Sequence, residues 1–142
     1  MRVMGIDYGS KRIGLALSDE MAMIAQPLDF VSAEPLSNAL ERVASIVREK
    51  EVGKIVVGMP RNMDGSYGSA AEKTREFVGA LQAKVSAPIR TWDERLTTVS
   101  ANRALIEAGM SRQKRKTKVD QTAAAILLQS FLDSENQADH RV

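Results

Sequence analysis

The sequence has no cysteine. That excludes disulfides, thiolate metal sites and a cysteine nucleophile, and it suits a reducing compartment. There is one histidine, His140, close to the C-terminal end, and it plays no part in the reading below. Aromatic residues are few: Tyr8, Phe30, Tyr67, Phe77, Trp92 and Phe131. No stacking platform for sequence-specific base reading can be assembled from them. Tyr8 and Tyr67, both expected in loops, are the two rings available to stack on a base. No apolar run approaches the roughly 18 residues of a membrane-spanning helix. The first acid, Asp7, interrupts the N-terminal apolar stretch before it reaches signal-peptide length. Internal repeats, low-complexity tracts and Pro/Gly/Ser-rich linkers are also missing. These absences point to a soluble, cytoplasmic protein with no membrane partner.

What remains is an ordinary globular composition, 44% hydrophobic and 27% charged over 142 residues. That length fits one domain with its own core. We assign residues 1–134 to it and 135–142 to a polar tail. The net charge is only +2, but it is unevenly spread. Arg112, Lys114, Arg115, Lys116 and Lys118 place five positive charges in seven residues, so the rest of the chain is net negative. Concentrated charge is the footprint of a polyanion partner, although basic runs also occur as solvated loops.

Hydrophobic periodicity gives the element order. Arg2–Asp7 reads as a buried strand and Tyr8–Lys11 as a turn. Arg12–Ser18 reads as a second strand, hairpinned to the first. Ile24–Ser32 reads as a third, placed at an edge by Pro27. Leu36, Leu40, Val43 and Val47 then recur at helical spacing, with Pro35 suited to the first turn. Lys54–Met59 is a continuous apolar run, as in a strand buried on both faces. A loop over 58–68 and a helix over 70–85 follow. Ala87–Asp93 reads as a fifth strand, 97–108 as a helix ended by Gly109, and 119–132 as a last helix. The order β-β-β-α-β-α-β-α-α predicts an α/β fold: a five-stranded mixed sheet with helices on both faces. Sites in such sheets form beyond the carboxyl ends of the parallel strands.

Three acids fall where that site should be. Asp7 ends the first strand, Asp93 and Glu94 end the fifth, and Asp120 opens the last helix. Converging carboxylates repel one another. Divalent Mg²⁺ or Mn²⁺ removes the conflict, because hard cations prefer carboxylate, water and phosphate oxygens. Two such ions can activate a water and stabilise the leaving oxygen of a phosphodiester displacement. Each acid also has a structural role open to it. Asp7 suits an Asx turn. Asp93 can pair with Arg95 or cap the third helix. Asp120 completes a capping box with Thr117. Alternation along a strand lets only one of Asp93 and Glu94 face Asp7, and the longer Glu94 is preferred. Asp7, Glu94 and Asp120 are therefore the candidate catalytic and metal-ligating residues. Lys11 and Arg12, beside a turn at Gly9 that permits positive φ and lets its backbone NH approach a phosphate, are placed to grip phosphates. So are Arg61 and Asn62 in the 58–68 loop, Arg95, and the basic segment Arg112, Lys114, Arg115, Lys116 and Lys118.

Four motifs in order carry a resemblance. They are Gly5-Ile6-Asp7-Tyr8-Gly9 with Arg12-Ile13-Gly14, then Gly58-Met59-Pro60 with Asn62-Met63-Asp64-Gly65-Ser66. Asp93-Glu94-Arg95-Leu96-Thr97-Thr98 follows, and finally Asp120 with Ala123-Ala124-Ile126-Leu127. With these the chain resembles the YqgF (RuvX) family of Holliday junction resolvase-like proteins and pre-16S rRNA nucleases, over Gly5 to about Leu132. The resemblance implies an RNase H-like domain and a nuclease dependent on Mg²⁺ or Mn²⁺, with catalytic acids at Asp7, in Asp93-Glu94-Arg95 and at Asp120. It also implies maturation of the 5′ end of pre-16S rRNA, or cleavage of branched DNA. Gln121, Thr122 and Ala123 follow Asp120, so no fourth acid stands beside it as in many RNase H-like nucleases.

Three readings follow. The first is a phosphodiester hydrolase acting on RNA or DNA as a monomer or homodimer. The second, suggested by the first motif alone, is a nucleotide-binding or phosphotransfer domain. The third is a nucleic-acid-binding module without catalysis.

Overall fold

The computed structural model describes residues 1–62, 64–94 and 123–139. Its strands are β1 (Arg2–Tyr8), β2 (Arg12–Ser18), β3 (Ala25–Pro27), β4 (Val31–Ser32), β5 (Val52–Met59) and β6 (Ile89–Asp93). Its helices are α1 (Leu36–Glu49), α2 (Ser69–Gln82) and α3 (Ala123–Asp139). The helix expected over 97–108 lies outside the described residues. Among the described residues, no helix is long and apolar enough to cross a membrane.

The sheet runs β3-β2-β1-β5-β6, with β4 also on β2. β1 and β2 form the expected antiparallel hairpin. β5 lies parallel to β1, and β6 parallel to β5. Each parallel step crosses over through a helix, as chain connectivity requires. The expected third strand is two short ones. Ala25–Pro27 and Val31–Ser32 both pair with β2, and residues 28–30 separate them. Pro27 ends the first, having no N–H to extend the ladder.

Strand alternation divides the core in two. Met4 and Ile6, Ile13 and Leu15, and Ile55 and Val57 point to one face, where α1 and α2 bring Leu40, Val43, Phe77 and Leu81. Val3, Ala16 and Val56 point to the other, under Ala124, Ala125, Leu128, Phe131 and Leu132 of α3. Fully burying one Leu or Phe contributes about 1.5–3 kcal/mol, so either layer would melt if its helix were lost.

α3 differs from expectation at its end. It continues to Asp139, through residues assigned to the tail. Glu135, inside that stretch, accepts from Arg90 of β6 at 2.8 Å. Nearer its start, Gln129 accepts from the Ala25 amide and donates to the Met23 carbonyl, both at 2.9 Å. The helix is thus tied to both margins of the sheet.

Close approach of α3 depends on Gly5. A Cβ there would stand 2.8 Å from Leu128 Cβ and 3.1 Å from the Ala124 carbonyl oxygen. Neither is the far end of a flexible side chain, so the helix itself would have to move. Gly5→Ala is expected to destabilise the protein by about 1–3 kcal/mol, the usual cost of overpacking. Thermal unfolding checks this, and an unchanged midpoint would show that α3 yields freely.

Candidate active site

Asp7 is the penultimate residue of β1, paired with Gly14 of β2. Val3 and Gly5 face α3, so the same alternation turns Asp7 towards that helix. On β5, Val56 and then Gly58 share this face. On β6, Trp92 faces α3 and meets Phe131 edge-on at 5.5 Å. Two residues on, just past the strand, Glu94 has the same sense. Asp93 has the opposite one. The face of the sheet, rather than reach, therefore separates the two acids.

β1 and β6 are not neighbours, since β5 runs between them. Glu94 meets Asp7 by crossing over Gly58. A Cβ on Gly58 would lie 2.7 Å from Glu94 Oε1 and 2.9 Å from its Cγ. A side chain at 58 would fill the space that the Glu94 carboxyl occupies. Gly58, where the expected strand and the expected loop overlap, belongs to the strand, and its role beside Glu94 is not evident in the sequence. The available signal was its register: it stands opposite Trp92 in β5–β6 pairing.

Burial first, then the negative charge of Asp7, a hydrogen bond with Asp7 and the charge of Asp93 push the Glu94 carboxyl up to about 7. Glu94 therefore keeps its proton to higher pH than a free carboxyl does. Among the described residues no imidazole is nearby, the chain has no thiol, and a donor set of carboxylate oxygens suits a hard divalent cation. Among the described residues no third acid joins the two.

Asp93 faces away and meets Arg61 Nη1 at 3.3 Å; its expected pairing with Arg95 lies outside the described residues. Arg61 Nε also donates to the Gly65 carbonyl at 3.0 Å, and its Nη2 donates to the same oxygen. Its guanidinium lies over Tyr67, whose ring is also approached by Arg75 at 4.5 Å. Arg61 thus braces the 60–68 loop. Asn62 does likewise, through Ser66 Oγ at 3.1 Å and backbone bonds with Gly65 and Ser66. Lys11 and Arg12 stand exposed at the hairpin, Arg12 over the Phe30 ring. Gly9 does not use positive φ, which among the described glycines belongs to Gly65. Its lack of a side chain serves close approach instead: a Cβ would sit 2.6 Å from the Arg12 carbonyl oxygen. Tyr8 is not in a loop but ends β1 and stacks on Phe77 at 4.6 Å. Asp120, Arg95, Arg112, Lys114, Arg115, Lys116 and Lys118 lie outside the described residues.

A β1–β2 hairpin, two parallel strands beyond it, helices on both faces and an acid pair at the carboxyl edge define a domain of the RNase H-like class. A family model described as "RuvX: Holliday junction resolvase" matches residues 1–134, and the chain belongs to that family. Relatives agree over nearly full length. A Pelotomaculum thermopropionicum protein named "Putative pre-16S rRNA nuclease" is 49% identical, across 96% of this chain and 90% of its own. One of the same name from Halothermothrix orenii is 48% identical, across 96% and 98%. Among solved structures, T. thermophilus RuvC in complex with a Holliday junction substrate superposes with a TM-score of 0.61, at 15% identity and 96% coverage of both chains. The fowlpox virus Holliday junction resolvase gives 0.56, at 12% identity, covering 94% of this chain and 99% of its own. At those identities the likeness shows the fold alone.

Proposed function

We propose that this protein is a divalent-metal-dependent nuclease that hydrolyses phosphodiester bonds, and that its substrate is the 5′ region of precursor 16S rRNA. One observation carries the reading: the Glu94 carboxyl is brought against Asp7 across a glycine, where burial and the Asp7 charge oppose its ionisation and a divalent cation would favour it. Asp7 and Glu94 are two ligands. Asp120 is the third, supported by its place three residues before Ala123, which with Ala124 lines the same recess as Asp7 and Gly14. Two Mg²⁺ or Mn²⁺ ions, when bound, would supply an activated water and stabilise the leaving oxygen.

The other residues hold the substrate. Lys11 and Arg12, in the turn that follows Asp7, contact backbone phosphates close to the acid pair. Arg95 and the basic segment Arg112, Lys114, Arg115, Lys116 and Lys118 extend the grip. Such contacts are independent of sequence and weaken as salt rises. Arg61 and Asn62, already engaged within their loop, shape its surface. The substrate assignment rests on the name shared by the relatives. The protein works in the cytoplasm, as a monomer or a homodimer.

The test incubates purified protein with Mn²⁺ or Mg²⁺ and four substrates: a precursor 16S rRNA 5′ leader, unrelated single-stranded RNA, single-stranded DNA and a four-way DNA junction. Metal-dependent cleavage that favours the leader is expected, and Asp120→Asn should abolish it with binding retained. Preferential cutting of the junction would replace the RNA assignment with a resolvase. Undiminished cleavage by Asp120→Asn would remove that residue from the ligand set. Salt-sensitive binding with no cleavage of any substrate would leave only a binding module.

A further inference from the structure

A second cavity, of about 420 Å³, opens beside the acid pair on the opposite side of the sheet. That volume lies in the range of sites that enclose small organic groups. Half-buried Tyr8 supplies aromatic surface, backed by the buried Phe77 ring on which it stacks, with Leu36 and Ala70 adding apolar area. Ser10, Ser69 and Lys73 bring donors, while Glu34 and Glu76 bring carboxylates. Tyr8 directly follows Asp7 in β1. Successive strand residues point to opposite faces, about 3.3 Å apart along the chain. The cavity and the acid pair therefore sit back to back across one sheet edge.

We infer that this cavity receives an unpaired, amino-bearing nucleobase of the strand whose phosphate lies at Asp7, an inference that rests on the nuclease reading. The lining selects the occupant. Two carboxylates repel a phosphate, so the anionic backbone does not enter. An aromatic wall suits the π-face of a base. Carboxylates accept from the exocyclic amino group of cytosine, adenine or guanine, as Glu does from cytosine N4. Lys73 donates to the ring nitrogen or carbonyl beside that amino group. Uracil has no amino group and fits this lining less well. A base in a duplex is stacked and paired, so the site takes single strands, ends and loops.

Oligo(C) and oligo(U) test this directly, being pyrimidines of one size that differ in amino against carbonyl. Affinities are measured by fluorescence anisotropy with chelator present, so nothing is cut. The wild-type protein should bind oligo(C) about tenfold more tightly than oligo(U), the discrimination of one good base contact. Glu34 and Glu76 are exposed, and the double variant Glu34→Gln/Glu76→Gln should equalise the two. Ala70→Trp, at an exposed position, should fill the cavity and reduce oligo(C) to the oligo(U) level, leaving duplex binding unchanged. Equal wild-type affinities, or a preference that survives Ala70→Trp, would overturn the inference. Metal-dependent cleavage, assayed separately, keeps the two readings apart. Cleavage without a C-over-U preference sinks the cavity and spares the nuclease. A preference without cleavage does the reverse.

Discussion

Asp7→Asn should bind nucleic acid, fail to cut it, and unfold at a higher temperature than the parent protein at pH 8 in the absence of metal. The loss of cleavage follows from ligand chemistry. Asn presents a neutral amide where a hard cation prefers an anionic oxygen. A divalent ion contributes several kcal/mol of charge stabilisation in phosphoryl chemistry, and 1.36 kcal/mol is tenfold in rate. The expected deficit is therefore about a thousandfold or more in the single-turnover rate. Full activity in Asp7→Asn would remove the metal site from β1.

The gain in stability has the same origin. Burial and the adjacent Asp7 raise Glu94 from 4.5 to about 7 in the folded chain. The folded protein then holds a proton that the unfolded chain has released, so stability falls as pH rises from about 4.5 to about 7. Asp7→Asn removes the neighbouring charge and leaves the burial, which relieves part of that loss. The variant and the parent should have similar melting points at pH 4.5 and separate by a few degrees at pH 8. Mn²⁺ should reverse the order: it displaces the proton on Glu94, so it stabilises the parent more at pH 8 than at pH 5.5 and has little effect on Asp7→Asn. Melting curves at these pH values, with chelator or Mn²⁺, read both effects. A variant less stable than the parent in chelator at pH 8 would mean that the acid pair is not strained.

The elements that position this pair were largely legible in the sequence because their patterns are local. Val3, Met4 and Ile6 before Asp7, the alternation of β2, and the helical spacing of Leu36, Leu40, Val43 and Val47 each follow from one element's own burial. What could not be read was the lateral order of the strands. Periodicity does not say that β5 lies between β1 and β6, so it does not show that Glu94 must cross a strand to reach Asp7. The helical end at Asp139 was missed for a related reason: Glu135 looks solvated until Arg90 is brought beside it. The sequence offers Arg61 as a phosphate contact because its partners, Gly65, Asp93 and Tyr67, assemble only when the loop closes on the end of β6. Asp93 and Glu94, by contrast, were separable from alternation alone, once Trp92 is known to face inward.

Gly58→Ala should leave the protein folded and cost about a hundredfold in cleavage. The added methyl group would meet Glu94 Oε1 at 2.7 Å and its Cγ at 2.9 Å. Both atoms belong to a flexible side chain, so the conflict is relieved by rotating Glu94 away rather than by moving the sheet. The strand loses little, because alanine gives up less conformational freedom on folding than glycine. The site loses much: displacing a reacting constellation by about 1 Å costs on the order of 10²-fold. Two measurements distinguish this from general damage. Thermal unfolding in chelator should be close to that of the parent, whereas Gly5→Ala should melt lower because its obstruction includes backbone. Mn²⁺ titration should show weakened binding in Gly58→Ala but not in Gly79→Ala, where an added Cβ has nothing within 4 Å. Gly79→Ala should instead gain up to about 1 kcal/mol, since Gly79 lies within α2. If Gly58→Ala binds Mn²⁺ and cleaves like the parent, Glu94 does not act from above β5. If it fails to fold, position 58 is a packing position first. The expected middle result, a stable chain with a weak metal site, would make a glycine with no functional group of its own the residue that joins the acids of β1 and β6.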